Sequence, residues 1–165
     1  EEEKNKLGIK YIVGDVSELG DLEEFDIIIG GFILHYSKSK KELFGMCESI
    51  YKNLKKGGRM VVINCNPKNP LISNKNYGVT IKADEPLKEG DELKAELFID
   101  KIAECSFVEY HWSYETYSEC FKKSGFSKVN WIVPEVTEEG IKKFGKDFWE
   151  DLILRPYLII IEAIK

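Results

Sequence analysis

Metal-ligand spacing is missing from this sequence. Only two of its 165 residues are His (His35, His111), and its four cysteines (Cys47, Cys65, Cys105, Cys120) form no C-x-x-C pair. Ligands this scattered along the chain give no expectation of a metal site. The thiols read instead as reduced and mostly buried, as in a cytoplasmic protein. Long apolar runs are absent too. The longest, Leu158 to Ile161, is far too short to cross a bilayer, so no membrane partner is expected. No basic stripe is present. Lys plus Arg number 24 against 29 Asp plus Glu, interspersed, for a net charge of −5, which argues against a nucleic-acid partner. Internal repeats, low-complexity tracts and a G-x-G-x-x-G fingerprint are also lacking. Tyr36-x-x-x-Lys40 and Tyr51-x-x-x-Lys55 fit an oxidoreductase pair by chance in a lysine-rich chain. With no serine partner and no fingerprint, a nicotinamide-dependent reading has no support.

What is there is a globular composition, 43% hydrophobic and 32% charged, with enough chain for one domain and a real core. Lys10 to Asp15 reads as a short strand ending in Gly-Asp. Asp26 to Gly30 is a continuous β-branched run that suits a parallel strand covered on both faces. Leu43, Phe44, Cys47, Ile50, Tyr51 and Leu54 mark one face of a helix. Ser39 caps its start, Lys52, Lys55 and Lys56 suit its C-terminal dipole, and Gly57 is expected as its left-handed cap. Met60 to Asn64 is the next buried strand, which closes a right-handed βαβ unit.

Three strands then interrupt the alternation: Tyr77 to Ala83, Leu93 to Ile99 and Cys105 to Trp112, the first two joined by a turn at Lys88-Glu89-Gly90-Asp91. Ser113 caps a helix from Tyr114 to Lys123, stopped at Gly125. Lys128 to Val133 is a strand, Thr137 opens a helical region reaching about Leu152, and Tyr157 to Ile164 is the last strand. The charged start, Glu1 to Lys4, reads as the solvated end of a helix.

The order of Gly14-Asp15-Val16, then Phe25-Asp26-Ile27-Ile28-Ile29-Gly30-Gly31-Phe32-Ile33-Leu34-His35-Tyr36, then Leu54-Lys55-Lys56-Gly57-Gly58, resembles the middle and later motifs of class I S-adenosylmethionine-dependent methyltransferases. Lys56 stands where that family's turn commonly has proline. The resemblance implies an α/β, Rossmann-like sheet comprising strands three to seven of the fold. An antiparallel β insertion after strand five is expected at residues 68–112, within a methyltransferase domain over 1–165. The last strand is expected antiparallel, between the fifth and sixth.

The same resemblance implies S-adenosylmethionine as cofactor and site residues to match. Asp15 would accept a hydrogen bond from the adenine amino group and the Val16 N–H would meet the ring, where α/β sheets bind ligands at strand ends. The alternative for Asp15 is a turn aspartate. Gly30, Gly31 and Phe32 would lie under the cofactor, with His35 near the sulfonium, orienting the acceptor or taking a proton. Asp26 would be structural. Tyr36, Tyr110, Trp112 and Trp149 are candidates for an aromatic acceptor pocket, with ordinary core packing as the rival for such residues. The aromatic segments around residues 77, 110–117 and 144–149 are similar to a toxoflavin N-methyltransferase-like subgroup, which implies a small planar or heteroaromatic acceptor.

In the order three, two, one, four, five, seven, six, the first two strands of this chain would not be neighbours. That predicts a fragment lacking roughly 60 upstream residues, including the glycine-rich loop and the ribose acid. It also predicts self-association through a bared strand. The alternative function is a non-catalytic relic of the fold that binds or assembles with a partner.

Overall fold

A buried β-branched run finds its partner in the strand that follows one helix later. In the computed structural model, which describes residues 8–100 and 102–165, β1 (Phe25–Gly31) pairs in parallel with β2 (Leu54–Cys65), Ile28 opposite Met60 and Gly31 opposite Ile63. Between them runs α1 (Lys40–Lys52). Ser39 caps it by accepting a hydrogen bond from the Glu42 N–H. The expected cap at Gly57 is corrected: Asn53 ends the helix, and Gly57, with φ +78°, lies within β2 and donates its N–H to the Lys165 carbonyl.

The chain then leaves this sheet for an antiparallel sheet of three strands, β3 (Val79–Lys82), β4 (Glu92–Ile99) and β5 (Ile102–Tyr110), in that order. It returns through α2 (Tyr114–Ser124), which is capped by Ser113 and closed by Gly125 in the left-handed region at φ +108°. β6 (Lys128–Ile132), α3 (Glu138–Phe144), α4 (Lys146–Leu154) and β7 (Leu158–Ile164) complete the chain. The helical region after Thr137 is thus two helices, parted at Gly145, whose φ of +83° breaks the helical path. The first sheet has the order β1-β2-β7-β6, with β7 antiparallel to both neighbours, as the family resemblance implies.

α1 and α2 pack against each other over one face of that sheet. Leu43, Cys47 and Ile50 of α1 and Tyr117 and Phe121 of α2 meet Met60, Val62, Ile159, Ile161 and Ala163. The period-2 alternation of β7 buries Ile159, Ile161 and Ala163 and leaves the intervening residues half-buried. A smaller cluster, Cys65, Ile72, Ile81, Leu93 and Ala95, joins the end of β2 to the second sheet.

Two strand expectations are corrected. Residues 10–15 form no strand. Tyr11 and Val13 are exposed, and among the described residues no strand pairs with them, so nothing supplies a ladder. β1 is not covered on both faces either. It is the edge of its sheet, and Ile27 and Ile29 are 47% and 80% exposed because the helices occupy only the other side. Among the described residues no helix is long and apolar enough to cross a membrane. The segment from Glu1 to Lys4 lies outside the described residues.

Candidate functional site

Parallel pairing of β1 with β2 brings their C-terminal ends together, and the chain's polar groups converge there. Gly30 and Gly31 end β1. A Cβ on Gly30 would stand 2.7 Å from Ile33 Cδ1 and 3.1 Å from Val62 Cγ2, whereas a Cβ on Gly31 would meet nothing within 4 Å. A methyl at Gly30 would require the Ile33 side chain to move, whereas open space lies over Gly31. Phe32 follows in the left-handed region at φ 56°, costly for a residue with a Cβ, held there as its N–H donates to the Ile63 carbonyl at 2.9 Å.

The chain then turns through Leu34–Tyr36, a single 3-10 turn that carries His35 inward. His35 is 2% exposed, and Nε2 lies 3.6 Å from Glu109 Oε1, too far for a hydrogen bond. Glu109 comes from β5 and is buried. Its other oxygen, Oε2, accepts a hydrogen bond from the Cys65 thiol at 3.2 Å. Asn64 donates to the Tyr117 hydroxyl at 3.1 Å. Among the described residues four buried side-chain atoms have no hydrogen-bond partner, and three of them sit here: both ring nitrogens of His35 and Oδ1 of Asn64. Such orphaned groups are rare in native interiors and each costs about 1–3 kcal/mol.

Burial sets the electrostatics. It pulls the His35 pKa down to about 4, so the ring is neutral at physiological pH, although neighbouring Asn64 acts the other way. Burial raises the Glu109 carboxyl above the usual range, partly offset by the Cys65 thiol. The Cys65 thiol is pushed far up, first by burial and then by Glu109. A small cavity of about 10 Å³ touches this cluster, lined by His35, Cys65, Leu93, Tyr110, Trp112 and Tyr117 among others.

The other sequence candidates fall into separate groups. Tyr36 stacks at a tilt between His35 and Phe107, and Phe32 lies 5.9 Å from the His35 ring. Tyr110 and Trp112 border the cavity, but Trp112 is also 6% exposed in the main core, and its indole N–H donates to the Ser37 carbonyl. Trp149 belongs to another cluster, with Tyr77, Phe144 and Phe148, and donates its N–H to the Gly140 carbonyl. Asp15 caps a short turn at residues 16–18 that packs on α1. Oδ1 accepts from both the N–H and the hydroxyl of Ser17, which lowers the Asp15 pKa, and among the described residues no hydrogen bond reaches Oδ2. Val16 packs against the main core. Sequence reasoning passed over Glu109, Asn64 and Cys65 as site residues. The available signal was polarity: Asn64-Cys65-Asn66 ends a buried strand, and Glu109 falls among apolar and aromatic neighbours on β5.

No family model matches the sequence, and no curated protein matches it. Solved structures do. An S-adenosylmethionine-dependent methyltransferase from Mesorhizobium loti superposes with a TM-score of 0.62 at 19% identity, over 96% of this chain and 70% of its own. One from Clostridium acetobutylicum gives 0.59 at 14% identity, over 98% and 68%. A protein from Listeria monocytogenes assigned to the same methyltransferases gives 0.63 at 21% identity, over 91% and 66%. The chain thus spans about two thirds of the length of these structures, and it has their fold: the Rossmann-like α/β fold of class I methyltransferases.

Proposed function

We propose that the protein transfers a methyl group from S-adenosylmethionine to a small-molecule acceptor. The observation that carries this reading is the fold, joined to a bare strand end. Gly31 leaves open space where a side chain would stand, at the C-terminal edge where α/β sheets take ligands. When bound, S-adenosylmethionine supplies a methyl group already activated on a sulfonium.

The work of this chain is then binding and alignment. Asp15, whose Oδ2 no hydrogen bond reaches among the described residues, would accept from the adenine amino group beside the Val16 N–H. Gly30, Gly31 and Phe32 would line the cofactor. Tyr36, Tyr110 and Trp112, around the His35 cavity, would supply aromatic surface for a planar or heteroaromatic acceptor, as in a toxoflavin-like subgroup, while Trp149 stands apart in its own cluster. His35, neutral in its buried site, would orient the acceptor or take its proton. The test is a titration of the protein with S-adenosylhomocysteine, the demethylated product. Absence of binding rejects it.

A further inference from the structure

We propose that His35, Cys65 and Glu109 bind one divalent transition-metal ion, zinc by preference, at the junction of β1, β2 and β5. The three side chains lie far apart in sequence, but one ligand atom from each falls within 4.8 Å of the others, and all three residues are buried. In a tetrahedral zinc site, with bonds of about 2.0–2.3 Å, neighbouring ligand atoms stand about 3.3–3.7 Å apart. The His35–Glu109 and Cys65–Glu109 separations are 3.6 and 3.2 Å. These two contacts run to different oxygens of Glu109, and the His35 and Cys65 ligand atoms lie within 4.8 Å, so closing on an ion takes a turn of the carboxylate and an approach of about 1 Å or less.

The cluster is difficult to explain without one. A histidine buried for packing normally gives its ring nitrogens to partners, yet neither nitrogen of His35 makes a hydrogen bond of sound geometry, although Asn64 lies close enough to act on the ring. Among the described residues no lysine or arginine pairs with Glu109. A divalent cation resolves each point. It takes the imidazole lone pair, and one thiolate with one carboxylate balances its two charges, so the buried site is neutral. Binding releases the Cys65 proton, and the Glu109 proton where one is held, to solvent.

Mixed sulfur, nitrogen and oxygen donors select zinc-like ions over magnesium or calcium, which take oxygen. Asn64 Oδ1, itself unpartnered beside the ring, is placed to receive the second imidazole N–H and fix the tautomer. His35 and Cys65 also line the small cavity, whose 10 Å³ is about the space of one water, enough for a solvent ligand. This inference is independent of methyl transfer. It competes with the base role for His35, since a metal-bound imidazole nitrogen has no lone pair to spare.

The test is titration of the reduced, chelator-treated protein with Co²⁺ in the absence of oxygen, read by absorbance, followed by displacement with Zn²⁺ and metal analysis after gel filtration. One equivalent should bind, with the intense near-ultraviolet band of a cobalt thiolate, and one equivalent of zinc should replace it. Cys65→Ser should abolish the band. Glu109→Gln and His35→Gln should each weaken binding by about tenfold or more, and Cys105→Ser, at an exposed thiol, should change nothing. Glu109→Gln keeps the thiol, so it reports even if Cys65→Ser folds poorly. No thiolate band in the wild-type protein overturns the proposal, as does a band that survives in folded Cys65→Ser or wild-type affinity in Glu109→Gln.

Discussion

The imidazole of His35 faces the carboxylate of Glu109 across 3.6 Å, and no hydrogen bond joins them. Each is held toward its neutral form by burial, and the two act oppositely on stability. His35 titrates near 4 in the folded chain instead of 6.5, so below pH 6.5 the unfolded chain takes up the proton first. Its contribution is present above 6.5 and is lost as pH falls toward 4, about 3 kcal/mol in all. Glu109, raised above 4.5, costs stability as pH rises through and beyond that value. In metal-free protein, urea unfolding should show His35→Gln losing the destabilisation between pH 6.5 and 4 that the wild type shows. Parallel pH profiles for the two would contradict this assignment.

The two glycines ending β1 should respond differently to alanine. Gly30→Ala puts a methyl 2.7 Å from Ile33 Cδ1, the tip of a side chain that can turn away, and 3.1 Å from Val62 Cγ2, so it should cost about 1 kcal/mol, the low end for overpacking. Gly31→Ala meets open space, so its melting point should hold while S-adenosylhomocysteine binding weakens. Thermal melts paired with calorimetry separate the two effects.

Trp112→Ala should destabilise by about 3–5 kcal/mol, because the indole is buried and its N–H is committed to Ser37. A melting point close to wild type would mean that the ring is dispensable to the core and would favour a role confined to the acceptor.

An apolar edge strand is an invitation to pair with another chain. Ile29, 80% exposed on β1, should make the 165-residue chain self-associate. Ile29→Lys should reduce that association in sedimentation velocity with little loss of stability. Equal association in both proteins would locate the contact elsewhere.

The sequence carried the βαβ unit clearly, because the β-branched run at Asp26 to Gly30 and the apolar face at Leu43, Cys47 and Ile50 are local patterns that burial reproduces directly. Ser113 and Gly125 marked the ends of α2 for the same reason. Residues 10–15 misled because β propensity makes a strand only where a partner strand supplies hydrogen bonds. Gly57 misled because left-handed conformation serves a strand turn as readily as a helix cap. The cluster at His35, Cys65 and Glu109 was illegible because its ligands come from three elements, and only the register of β2 and the return of β5 bring them within reach.

The most direct test of the central claim is calorimetric titration of the protein with S-adenosylhomocysteine, for the wild type and for Asp15→Ala. Binding by the wild type is predicted, weakened about tenfold or less in the mutant, as the loss of about 1 kcal/mol for one hydrogen bond requires. The melting point should move little, because Asp15 caps only a three-residue turn and is exposed. No binding by the wild-type protein would contradict the cofactor assignment, and equal affinity in the mutant would remove Asp15 from the site.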